Sequence, residues 1–193
     1  GGVGDLRTGN YLCGTPEVAL LSTICLSMGR RYGLPCVSSG ISSDAKSVGF
    51  QAGAEGMMTA MAAVLAGTDG LIAAGLIDSA RVASTAKLIL DCDSLGALRR
   101  LTRFPGLDEA AMLIDDVEAV GPGGHFLMRR SSRERSRSGE VWWPSVFQRG
   151  NIGDFSDRPL VDDALERARD LLATHQPTPI PDDIRRRARG VLD

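Results

Sequence analysis

The sequence predicts an α/β fold, and three observations carry that prediction. Helical and short apolar segments alternate between residues 15 and 103. The apolar segments Gly1-Gly2-Val3, Leu34-Pro35-Cys36-Val37 and Leu71-Ile72-Ala73-Ala74 recur at roughly the 30-plus residues that a βαβ unit occupies. Each is followed by a loop of Gly, Ser, Thr and Asp. Parallel strands need a crossover, so the order predicts three successive strands of one parallel sheet, the first truncated. A (β/α) barrel or a doubly wound sheet places its chemistry on the loops that follow such strands, and those loops supply the candidate site residues.

The elements follow in order. Thr15-Pro16-Glu17 is an N-cap, a proline at the first helical position and an acid in the first turn. Val18, Leu21, Ile24, Cys25 and Met28 then recur at helical spacing, predicting a helix over 15–31 that Gly33 stops. After the strand at Leu34 comes a polar loop over 38–47, then a second helix over 48–65 whose Ala, Gly and Met content implies close packing. Gly67-Thr68-Asp69-Gly70 ends it, and a third helix is expected over 84–103, after the strand at Leu71 and the polar Asp78-Ser79. Beyond Leu107 the pattern turns helical, over 108–120, 126–137, 160–173 and 182–191, punctuated by Pro105-Gly106, by Gly121-Pro122-Gly123-Gly124 and by Pro177, Pro179 and Pro181.

Composition narrows the classes of function. With 193 residues, 43% of them hydrophobic, the chain can bury a core, which excludes a disordered or collagenous protein. A net charge of -2 argues against a nucleic-acid footprint. The longest apolar stretch, 57–66, falls short of the ~20 residues that cross a bilayer, so no membrane partner is expected. Cys13, Cys25, Cys36 and Cys92 form no Cys-x-x-Cys pair and lie in apolar surroundings, which predicts reduced thiols and a cytoplasmic protein. The opening residues show no charged-then-apolar leader and read as a cut from a longer chain.

Several motifs carry two readings. Gly4-Asp5-Leu6-Arg7-Thr8-Gly9 is a ligand-facing loop or a plain turn, and it matches no phosphate fingerprint. In the loop 38–46, Asp44 could hold a cation and Lys46, one of only two lysines, a carboxylate; alternatively Ser43 or Asp44 caps the next helix. Gln51 and Glu55 share a helix face, where Glu55 neutralises a bound cation or is simply solvated, and Asp78-Ser79 repeats the geometry after the next strand. Asp91-Cys92-Asp93 reads as a surface acid pair in mid-helix, and Trp142-Trp143-Pro144 as a core anchor. The run 129–137 is a solvated helix face or a patch for an acidic protein. His125 and His175 stand far apart without partners, so no metal site is expected, and no Gly-x-Ser-x-Gly nucleophile elbow is present.

In order along the chain, Thr8-Gly9, Gly14-Thr15-Pro16-Glu17, Tyr32-Gly33-Leu34-Pro35, Ser43-Asp44-Ala45-Lys46, Gln51-Ala52-Gly53 with Glu55, and Asp78-Ser79 resemble the trimethylamine methyltransferase family, which includes glycine betaine methyltransferases. Val120-Gly121-Pro122-Gly123-Gly124-His125-Phe126-Leu127 and Trp142 with Pro144 extend the resemblance over nearly the whole chain, which is similar to roughly the last two fifths of a family member. The resemblance implies the C-terminal part of a (β/α)8 TIM-type barrel with extra C-terminal helices, its βα units at about 1–104 and a helical segment at 105–193. It implies an enzyme that moves a methyl group from a methylated amine to the reduced cobalt of a separate corrinoid protein, with no cofactor bound directly and no catalytic side chain on this chain. Asp44, Glu55 and Asp78 would then place the cation, Lys46 or Arg7 a substrate carboxylate, and the loops at Gly40, Gly123, Gly124 and His125 would let the corrin ring approach. No pyrrolysine stands in this sequence, so it resembles the branch whose substrates are quaternary amines. Position 54, often Tyr in the family, is Ala here, and Arg and Ser follow Leu127 where histidine is frequent. The resemblance implies that the piece alone is inactive and that the full-length form is a homo-oligomer. Two other readings stand beside it: a barrel lyase or aldolase with Lys46 as Schiff base, and a non-catalytic half-barrel that only binds a partner.

Overall fold

The computed structural model describes residues 2–103, 109–154 and 158–192. Gly1 of the expected first strand, the Pro105-Gly106 turn and Asp108 at the start of an expected helix lie outside them. A hairpin opens the chain, β1 (Val3–Asp5) pairing antiparallel with β2 (Asn10–Leu12). Helix α1 (Pro16–Arg31) leads to β3 (Val37–Ser38), and α2 (Phe50–Leu65) leads to β4 (Gly70–Leu71), which pairs parallel with β3. A second hairpin, β5 (Leu76–Ile77) and β6 (Val82–Ala83), precedes α3 (Thr85–Thr102). Helices α4 (Glu109–Met112), α5 (Ile114–Val120), α6 (Arg130–Arg137), α7 (Leu160–Thr174) and α8 (Asp182–Leu192) complete the order.

The three helices predicted before residue 104 form where their signals place them. The Thr15 side chain accepts from the Val18 N–H, with Pro16 and Glu17 in the first turn, and the Ser84 side chain caps α3 by accepting from the Lys87 N–H. Helix α1 packs on α2, α2 on α3 and α3 on α7. The core between them is small-residue and tight: Ile41, Ala60 and Leu98 form one fully buried cluster, Ala45, Ala52 and Ile77 another. Gly40 is buried in this packing, since a Cβ there would sit 2.5 Å from Leu71 Cδ2 and 3.1 Å from the Ala60 backbone.

The sheet differs from the expectation. The opening segment is no parallel strand; it folds back on Asn10–Leu12, because the turn over 5–9 closes locally, with the Thr8 and Gly9 N–H groups donating to Asp5 O. The described strands make three separate two-stranded sheets and no closed barrel, and the α/β character rests on the one parallel pair with its α2 crossover. Strand β3 begins only at Val37, since the Cys36 N–H is drawn to the Asp69 carboxylate at 2.7 Å. Strand β4 ends at Leu71, because the chain turns away through Ala73 at φ 78°.

Later elements also depart. The expected 108–120 helix is broken at Leu113, whose φ of 51° is left-handed, and the 126–137 helix divides into a 3-10 turn (Phe126–Met128) and α6. Trp143 is 72% exposed, so it is no core anchor, whereas the Trp142 ring lies against Gly96, edge-on to Phe147 at 6.4 Å. Asp91 and Asp93 are buried, not a surface pair. Among the described residues no helix is long and apolar enough to cross a membrane.

Candidate functional site at the carboxyl end of the parallel pair

The loop after β3, the hairpin after β4 and the turn leading into α1 meet at one end of the structure. Asp44 joins them. Its carboxylate accepts from the backbone N–H groups of Cys13 at 2.9 Å and Gly14 at 3.0 Å, from the Ser79 hydroxyl at 2.8 Å and from the Cys13 thiol at 3.4 Å. Burial opposes its charge, but the Cys13 and Gly14 N–H groups and the Ser79 hydroxyl outweigh burial and hold the carboxyl below the usual carboxylate range. Burial, followed by the Asp44 charge, pushes the Cys13 thiol up to about 12, so this cysteine is a structural donor and a poor nucleophile.

Glu55 reaches into the same loop from the first turns of α2. Its carboxylate accepts from the Ser43 hydroxyl at 2.7 Å, the Asp44 N–H at 2.8 Å and Gln51 Nε2 at 2.7 Å. It is therefore not the solvated residue that the helix pattern alone allows. A Cβ on Gly14 would meet the Glu55 carboxylate oxygen at 2.5 Å and the Asp44 backbone nitrogen at 3.0 Å, so a side chain there would push the Glu55 carboxylate off its partners. Asp78 pairs with Lys46 across the surface of the loop, and this hydrogen bond with Lys46 is the main cause that holds the Asp78 carboxyl below its ordinary value.

The turn that carries Asp78 is strained. Asp78, Ser79 and Ala80 have φ of 50°, 54° and 69°, three successive side chains in the left-handed region. The strain is held by the loop opposite: the Asp78 and Ser79 N–H groups donate to the Ala45 and Ser43 carbonyls at 2.9 and 3.1 Å. Arg81 ties the two hairpins together by donating to Asn10 Oδ1 at 2.9 Å.

The structure thus brings Asp44, Lys46, Glu55 and Asp78 together. Arg7 stands apart, its side chain 91% exposed on the first hairpin and paired with Asp5. Gly40 is a packing residue at the base of the loop. The Gly123-Gly124-His125 turn is exposed, and its backbone hydrogen bond, Gly124 N–H to Gly121 O, stays within the turn. Sequence reasoning misses Cys13, which has no spacing signal because its partner is 31 residues away. It also misses Lys87, legible as an i,i+4 partner of Asp91: both are buried, and Lys87 Nζ also donates to Ile41 O at 3.2 Å. Asp93, expected at the surface, instead accepts from the Ser145, Val146 and Phe147 N–H groups at 2.7 to 3.1 Å, pinning the Trp142 segment to α3. Among the described residues no three His, Cys, Asp or Glu side chains are grouped to hold a metal ion.

Residues 2–191 match the family model described as trimethylamine methyltransferase (MTTB). The chain belongs to the trimethylamine methyltransferase family. It is 33% identical over 183 residues to a glycine betaine methyltransferase of Desulfitobacterium hafniense (strain Y51), covering 93% of this chain and 38% of the relative. It is 30% identical over 195 residues to the trimethylamine methyltransferase MttB of Methanosarcina barkeri, covering 98% of this chain and 38% of the relative. This family chain therefore spans about two fifths of the length of the curated relatives it matches.

Proposed function

We propose that this chain is part of a (β/α)8 barrel methyltransferase that holds a methylated quaternary or tertiary amine for transfer of its methyl group to the cobalt of a partner corrinoid protein. The observation that carries the reading is the convergence of three carboxylates and one ammonium from the loops after β3 and β4 and the start of α2, in a chain of this family. In a (β/α) barrel that end is where substrates bind. A Co(I) centre is itself a strong nucleophile, and a quaternary ammonium, or a tertiary amine in its protonated ammonium form, leaves as a neutral amine, so what this chain must supply is placement and charge.

The hydrogen bonds define how that charge acts. The Asp44 and Glu55 oxygens are already occupied by Cys13, Gly14, Ser79, Ser43 and Gln51, so these carboxylates favour a cation through their field and through the shape of the backbone they hold. Asp78 and Lys46 lie at the surface of the cluster, where Lys46 is 68% exposed and free to exchange Asp78 for a substrate carboxylate. Methylated amines with a carboxylate, of which glycine betaine is one, meet both charges of that pair.

The test mixes the chain, alone and joined to the portion of the D. hafniense relative that it does not match, with a Co(I) corrinoid protein and either glycine betaine or trimethylamine. The joined protein is expected to give the visible spectrum of methyl-Co(III), and the isolated chain none. A folded joined protein that leaves Co(I) unchanged with every methylated amine would overturn the reading.

A further inference from the structure

Each of the two loops that carry the site is clamped three residues before its carboxylate. Ile41, which precedes Asp44, is fully buried with φ of 68°, a left-handed conformation that β-branched residues rarely adopt. Its N–H donates to Thr59 Oγ1 at 3.1 Å, and its carbonyl accepts from Lys87 Nζ at 3.2 Å. Gly75, which precedes Asp78, follows the left-handed Ala73, and its N–H donates to the Asp91 carboxylate at 2.8 Å.

Both loops are thus held from one turn of one helix. Lys87 and Asp91 stand four residues apart on α3, their side chains 2% and 4% exposed, and pair with each other. A Cβ on Gly56 of α2 would lie 3.3 Å from both Lys87 Nζ and Ile41 O, so glycine there leaves the ammonium room to reach the loop. A buried ion pair contributes little net stability, because desolvation of the two charges offsets their attraction, and apolar residues of like volume fill a core as well. What an apolar pair lacks is a donor for the Ile41 carbonyl and an acceptor for the Gly75 N–H. Beyond these two points the loops meet in a seam: the Asp78 and Ser79 N–H groups donate to the Ala45 and Ser43 carbonyls, the Ser79 hydroxyl donates to Asp44, and Lys46 pairs with Asp78.

We propose that Lys87 and Asp91 are positioning residues that set the register between the loop over 38–46 and the hairpin carrying Asp78, and with it the placement of Asp44, Lys46 and Asp78 toward a methylated amine. Each acts through the backbone group it holds rather than on the substrate. The inference rests on the proposed function for what the loops bind, and not for the register itself.

The experiment compares the 193-residue chain with the double variant Lys87→Met with Asp91→Leu, by amide hydrogen exchange and by NMR titration of the Asp78 carboxyl. The double variant is expected to keep a urea midpoint near that of the unaltered chain, as a core role alone would also give. Its Gly75, Asp78 and Ser79 amides are expected to exchange at least tenfold faster, with α1 amides such as that of Leu26 unchanged. Its Asp78 carboxyl is expected to titrate closer to the ordinary 3.8 as the pairing with Lys46 loosens. Lys87→Met with Asp91→Asn keeps an acceptor for the Gly75 N–H and is expected to restore slow exchange at Gly75 alone. Asp93→Asn, on the same helix but bonded to the segment 145–147, is expected to leave all three amides as they are. Unchanged exchange and titration in a stable double variant would overturn the proposal by making the pair a core filling. A double variant that does not fold, or an equal effect of Asp93→Asn on the three amides, would overturn it too, by making the pair a matter of stability alone. Methyl transfer is not read in this assay, so the two proposals fail separately.

Discussion

Replacing Asp44 with alanine strips the acceptor from two backbone N–H groups and one hydroxyl on the two segments that flank the β3 loop. Hydrogen bonds to a charged group contribute about 1.5–3 kcal/mol each when buried. Asp44 is only half-buried, and water can reach part of the vacated site, so we expect a total loss of about 3 kcal/mol rather than the full sum. Asp44→Asn keeps one oxygen but turns an NH2 donor toward an N–H, either that of Cys13 or that of Gly14, and should cost about 2 kcal/mol. Urea unfolding followed by circular dichroism measures this directly: at a slope of ~2 kcal/mol per molar, a loss of about 3 kcal/mol moves the midpoint by about 1.5 M. The pH dependence has a definite sign. The folded carboxyl lies below its ordinary value of 3.8, so the stability it contributes is present above that value and is lost as pH falls through the folded one. The gap between the unaltered chain and Asp44→Ala should therefore close in acid. A variant within about 1 kcal/mol of the unaltered chain at neutral pH would refute the assignment of Asp44 as the tie between the hairpins and the β3 loop.

Other expectations follow from the same contacts. Lys87→Met leaves the Asp91 carboxyl buried without its cation and should cost about 3–5 kcal/mol in the same unfolding assay; the double change Lys87→Met with Asp91→Leu should recover most of it. Gly14→Ala drives a methyl into the Glu55 carboxylate and should cost about 1–3 kcal/mol, with Glu55→Ala restoring part of the loss. Ala80→Gly relieves a residue held at φ 69° and should stabilise by about 1 kcal/mol, read as a higher melting temperature. In a thiol-reagent titration near pH 8, Cys25 should react promptly and Cys13 only on unfolding, because Cys13 is buried and its thiol is pushed up to about 12.

Helices α1, α2 and α3 are legible in the sequence because their information is local. A capping side chain, a proline at the first position and an apolar repeat act within a few residues, so Thr15 and Ser84 mark their helix starts without reference to the rest of the chain. The positions of Asp44, Glu55 and Asp78 after predicted strands are legible for the same reason. The partners of those side chains are not. Cys13, Gly14 and Ser79 lie 30 to 35 residues from Asp44, and no periodicity encodes which backbone N–H a carboxylate will meet. The opening segment misleads because a glycine-rich apolar start fits a parallel strand and a hairpin arm equally well, and only the local closure of the turn at Asp5 distinguishes them. Asp91 and Asp93 mislead because charge alone argues for exposure, whereas each is satisfied by a distant or i,i+4 partner.

By itself, then, the sequence determined the helix order, the family to which the chain belongs and the loops that hold the polar residues, since all three depend on residue identity and near spacing. Tertiary structure alone decided that Asp44 and Glu55 direct their oxygens to the protein's own backbone and side chains, and that Lys46 meets Asp78. Those outcomes depend on which surfaces come within hydrogen-bonding or van der Waals reach after α1, α2 and α3 pack, and packing is a property of the whole chain rather than of any window along it.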